Sequence, residues 1–127
     1  MRKNYFSLIL LLLVILSACK EKVNVQISGM PDAEEVLTLD PNSNIFLWDG
    51  RVYKTNIEWV EELKLTKHKE LGVITSVSTH RENYNYKNGM ANKLPIGAKI
   101  FSAKERDDIL LAEYEGKLMK YLGVSEG

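Results

Sequence analysis

Ile45-Phe46-Leu47-Trp48-Asp49-Gly50-Arg51-Val52-Tyr53-Lys54 is the most informative stretch of the chain. Two apolar runs flank Asp-Gly. Both central positions of a tight hairpin turn need positive φ, which Asp and Gly tolerate, so the pair predicts a two-residue β-hairpin. Pairing across it sets Phe46 against Tyr53 and Leu47 against Val52. These pairs fall on opposite faces, and both faces are apolar. A hairpin covered on both sides belongs to a curled or closed sheet rather than to one with a wet face.

The end of the chain repeats the device. Ile109 to Tyr114 and Lys117 to Leu122 flank Glu115-Gly116. This register sets Leu110 against Tyr121 and Ala112 against Met119. Between the hairpins, Gly72 to Thr79 is rich in Val, Ile and Thr and reads as a strand. A further strand, Ala98 to Ala103, is entered through Leu94-Pro95-Ile96-Gly97. Pro95 fixes φ and Gly97 supplies a positive φ, so the chain turns sharply there. Asn56 to Leu65 fits either period, and a helical turn over 56–61 capped by Asn56 is the reading adopted. Thr79 to Asn92, holding Asn83, Asn85, Asn88 and Asn92, reads as a long polar loop. Trp48, Tyr53, Trp59 and Phe101 are the expected aromatic core.

The fold expected is mainly β, α+β at most. It is a small curled or barrel-like antiparallel sheet of five to six strands with one short helical turn. It occupies residues 44–127 as a single domain, preceded by a tether over 19–43 and a signal-peptide helix. In the tether, Val23, Val25 and Ile27 alternate with polar residues, and Val36 to Leu39 is a second apolar piece. Each is readable as a first strand or as linker.

The chain has 127 residues, 17 basic and 17 acidic. Arg2 and Lys3 precede an almost uninterrupted apolar run, Phe6 to Leu16, and no acid occurs before Cys19. Residues 19–127 therefore carry 15 basic groups against 17 acidic ones, a net charge of −2. This composition excludes a multi-spanning membrane protein and a basic nucleic-acid binder. The apolar run is too short to cross a hydrocarbon core, which needs about 20 residues. Charged start, apolar middle and small residues at a cut site form the layout of an export signal.

Leu16-Ser17-Ala18-Cys19 resembles the lipobox of bacterial lipoproteins. The resemblance implies diacylglyceryl transfer to the Cys19 thiol and cleavage between Ala18 and Cys19. Residues 1–18 would then be a cleaved signal peptide, and the mature chain a lipid-anchored protein (a palmitate-type anchor) on the extracytoplasmic face of the cell membrane. Cys19 is the single Cys, so the domain holds no internal disulfide.

Four further pieces resemble a group of small lipoproteins from Bacillus-like Gram-positive bacteria. They are Ile57-Glu58-Trp59-Val60-Glu61, Gly72-Val73-Ile74, Asn88 to Phe101 and Tyr121 to Gly127. This likeness spans residues 44–127. It implies location, a one-membrane host and a shared fold, and it transfers no catalytic residue.

Catalytic patterns are missing from the sequence. His68 and His80 sit 12 apart without a Cys partner or a zinc-type spacing. No nucleophile elbow or phosphate loop occurs. Adjacent carboxylates at Glu61-Glu62 and Asp107-Asp108 point to opposite faces of any strand. No catalytic residue, cofactor or metal is expected. The function expected is a non-enzymatic envelope binding or interaction module, with a protein or glycan partner and no nucleic acid. Its candidate ligand surface is Arg81, Tyr84, Tyr86 and Lys87, because exposed Tyr and Asn suit adaptable recognition. The competing reading is a small envelope metal carrier or enzyme built around His80 and Glu82.

Overall fold

The structure, a computed structural model, describes residues 31–78 and 85–125. The signal segment, Ala18, Cys19 and the alternating stretch at 23–27 lie outside them.

Helix α1, Ala33–Leu39, opens the described chain. The Asp32 side chain accepts the Glu35 N–H at 2.9 Å, and Glu34 and Glu35 fill the first turn. Acids there meet the positive end of the helix dipole. Ala33, Val36 and Leu37 share one face and are buried. They pack on Ile45 and Val52, with Leu47, Tyr86 and Val124 around them. Part of the expected tether is therefore helix docked on the sheet.

Eight strands follow in one curled half-barrel: β1 Ile45–Trp48, β2 Arg51–Lys54, β3 Lys67–Val73, β4 Ser76–Val77, β5 Met90–Ala91, β6 Lys99–Ala103, β7 Ile109–Tyr114 and β8 Lys117–Gly123. Their order across the sheet is β3-β6-β7-β8-β2-β1-β5-β4. Helix α2, Glu58–Glu61, lies between β2 and β3. Both hairpins hold the expected registers, Phe46 against Tyr53 and Leu110 against Tyr121. Asp49 and Gly50 have φ of 51° and 79°, and Glu115 and Gly116 of 50° and 76°. The twist of such turns matches that of the strands they join.

The two edge strands belong to one bent segment. Only Ile74 and Thr75 separate β3 from β4. Ile74 N–H donates to Ala98 O, and Thr75 N–H donates to Gly89 O. The bend carries the chain from one margin of the sheet to the other and curls the sheet around its core. That core holds Phe46, Tyr53, Ile74, Ile100, Leu110 and Tyr121. The Phe46 ring stacks on Tyr53 at 5.4 Å and meets Tyr121 edge-on at 4.7 Å. Outside, α2 and its flanks cover Ile109, Leu111 and Ala103 through Val60, Ile57, Leu63 and Leu65. Ile109-Leu110-Leu111-Ala112 is thus buried throughout, alternate residues serving the inner core and the α2 side.

Several expectations need correction. Among the described residues the strands number eight, not five to six, and β4 pairs with β5 in parallel. The strand expected over Gly72 to Thr79 splits into the end of β3 and the short β4. The loop expected over Thr79 to Asn92 contains β5. Asn56 does not cap α2. It has φ 65°, and Ile57 takes the cap position without a side-chain bond. Trp59 is not core. It is 46% exposed, with the Arg106 guanidinium 5.2 Å from its ring.

Candidate functional site

The residues singled out in the polar loop divide three ways. His80, Arg81, Glu82 and Tyr84 lie outside the described residues. Tyr86 is half-buried against the α1 cluster, and burial raises its pKa. Lys87 is exposed, and its carbonyl accepts the Met90 N–H at 2.9 Å. The Asn side chains nearby serve the backbone. Asn88 Oδ1 accepts Gly50 N–H at 2.9 Å, tying the loop to the β1–β2 turn. Asn92 accepts from Ile45 N–H at 2.9 Å and donates to Ser43 O at 2.7 Å. These bonds supply partners to backbone groups at the ends of β1, where the ladder runs out.

A concavity of about 790 Å³ opens elsewhere. It lies between the start of β3 and the β6–β7 turn, lined by His68, Leu71, Ser102, Leu110 and residues 103–109. Two register shifts in β3 shape it, one between Lys67 and Glu70, the other between Glu70 and Gly72. Extra residues in a bulged strand re-aim side chains. Here the shifts fall around His68 and Leu71, which both line the concavity. The first shift is held by Ser102 Oγ, which accepts the Lys69 N–H at 3.0 Å.

Most charges on the rim already have structural partners. Arg106 donates to both Asp108 oxygens, at 2.8 and 2.7 Å. That pairing lowers the Asp108 pKa and raises that of Arg106. Glu105 accepts from Thr66 N–H at 2.8 Å and from Thr66 Oγ1 at 2.7 Å. These bonds lower the Glu105 pKa and staple the α2 segment to the β6–β7 turn. Glu70 lies 4.0 Å from Lys99. His68 is brought to the concavity, but among the described residues no three His, Cys, Asp or Glu side chains gather to hold a metal.

A second cluster of polar groups lies where β2 meets the end of β8. The Arg51 guanidinium donates to Gly123 O at 3.1 Å and sits 5.8 Å from the Tyr53 ring centre. A Cβ on Gly123 would meet that guanidinium, the far end of a flexible side chain, which would have to shift to admit it.

Sequence reasoning found neither Ser102 nor Leu71. Their neighbourhood is built from segments about 30 residues apart, and no local pattern marks it. Searches against family models, curated proteins and solved structures returned no match.

Proposed function

We propose that this chain is a lipid-anchored extracytoplasmic binding module without enzymatic activity. The observation that carries the reading is Leu16-Ser17-Ala18-Cys19 directly after a basic start and an apolar run. Two acyl chains on Cys19 give stable attachment, because each buried methylene contributes about 0.8 kcal/mol. The mature chain has no long basic run to bind anionic headgroups, so attachment rests on the lipid. The resemblance of residues 44–127 to small lipoproteins of Bacillus-like bacteria supports the same location.

The binding role draws support from how the polar side chains are used. The carboxylates Glu105 and Asp108 are committed to holding turns together. What is left open is a concavity lined by both apolar and charged side chains, a surface suited to contact rather than to proton transfer.

Labelling cells with a radioactive or clickable palmitate tests the anchor. The parent chain takes up label and migrates as the processed form. Cys19→Ser accumulates as unlabelled precursor. Persistent label on Cys19→Ser would refute the lipid attachment.

A further inference from the structure

Strand β3 is the long free edge of the sheet. It spans seven residues and pairs with β6 on one side. Among the described residues no strand pairs with its other side. Six of its seven residues are exposed, including Leu71 at 44% and Val73 at 39%. The opposite edge, β4, has two residues and offers little template.

The charge of this edge differs from that of the chain. Lys64 to Val73 carries Lys64, Lys67 and Lys69 against Glu70, a net of +2. Residues 19–127 as a whole carry −2. Among the described residues Lys64 and Lys69 make no ion pair, while Lys67 bonds Glu113 at 2.7 Å.

These charges oppose a second copy of the same edge in its fullest register. Self-pairing over all seven residues centres on Glu70 and sets Glu70 opposite Glu70. Of the two registers that keep five pairs, the one centred on Lys69 sets Lys69 opposite Lys69, and the one centred on Leu71 leaves Lys67 unpaired. Like charges directly opposite each other destabilise a pair of strands. An acidic strand meets the reverse situation. Its main chain supplies the missing ladder bonds, and its carboxylates face lysines. Beside the edge, the concavity lined by Leu71, Leu110 and the charged residues at 104–108 has room for a side chain of the added strand. Main-chain bonds for affinity and a side-chain pocket for selectivity are the two parts of strand addition.

We infer that β3 is a docking edge for an extended acidic peptide segment of another protein, which adds as a strand and seats an apolar side chain in the adjoining concavity. This rests on the binding-module reading and names its partner. It does not depend on the lipid anchor, which the palmitate experiment tests separately.

The experiment uses the full-length, isotope-labelled chain in detergent micelles, titrated with Val-Glu-Val-Glu-Val-Glu-Val or with Val-Lys-Val-Lys-Val-Lys-Val. The glutamate peptide shifts the amide signals of Lys67 to Val73 and of Ser102 and Leu110. The lysine peptide leaves them in place. Lys69→Glu takes the net charge of Lys64 to Val73 from +2 to 0 and weakens the glutamate peptide about tenfold. Leu71→Ser, at an exposed position and with no change of charge, tests the pocket while leaving the core intact, and it also weakens binding. Three outcomes overturn the inference: no shift at millimolar glutamate peptide, equal response to both peptides, or shifts confined to surfaces away from β3.

Discussion

Tyr121 has the largest fully buried side chain. Its hydroxyl donates to Asn44 Oδ1 at 2.8 Å, and its ring meets Phe46 edge-on. Burial raises its pKa well above the ordinary 10.0, with Tyr114 adding to the rise. Burial also raises Tyr53 and Tyr86. The folded state therefore keeps protons that the unfolded chain releases above pH 10, so stability is intact below that pH and falls as pH rises further. Circular dichroism against pH will show alkaline unfolding. Tyr121→Phe will flatten, without abolishing, that loss. At neutral pH it will cost about 1 kcal/mol for the lost hydrogen bond to the half-buried Asn44 oxygen. A pH profile identical to the parent's would refute the role given to Tyr121. At this scale the sequence was partly readable. Tyr121 stood at an apolar strand position, but its partner Asn44 lies 77 residues away. The backbone roles of Asn88 and Asn92 were hidden for a related reason. Asn is common both in recognition loops and as a backbone partner, and only the positions of Gly50 and Ile45 show which role Asn88 and Asn92 take.

The two hairpins show how local rules act on elements. Asp49-Gly50 was readable because turn and strands are contiguous, and the register then follows from loop length. Glu115 adopts the same positive φ with a residue that disfavours it. Glu115→Asn will raise stability by about 0.5–1 kcal/mol, read as a higher midpoint in a thermal melt. A lower midpoint would mean that the Glu115 side chain has a role of its own. Helix α1 was readable too, since Asp32-Ala33-Glu34-Glu35 is a capping sequence and Ala33, Val36 and Leu37 recur at helical spacing. Its brevity let it pass for a piece of strand or linker. Strand β3 carried no comparable signal. Its Lys-His-Lys-Glu start has no apolar alternation, and its place is set by β6 and by two register shifts. Trp59 failed as a core prediction because α2 is only four residues long and turns Val60, not Trp59, toward Ile109 and Leu111.

On the scale of the molecule, two coverings make the sheet stable. One is α2 with its flanks, and the other is α1 over Ile45 and Val52. The helix at 33–39 is thus part of the packed unit. A chain beginning at Pro31 retains the Asp32 cap and the whole of α1. One beginning at Asn44 will lose the burial of Ala33, Val36 and Leu37 and expose their partners. That change will cost about 3 kcal/mol or more, at roughly 25 cal/mol per Å² of apolar surface. Urea titrations of the two chains measure the difference, and equal midpoints would exclude α1 from the cooperative unit.

The amino-acid order alone was enough for both hairpins, their registers, the sharp entry at Pro95 and Gly97, and the expectation of a sheet covered on both faces. Each of these depends on neighbours in the chain, on turn chemistry and on a period of two. The bend at Ile74 and Thr75, the free edge of β3 and the concavity beside it needed the folded chain. Each arises where residues far apart in sequence share hydrogen bonds, and such bonds leave no trace in the local pattern of either partner.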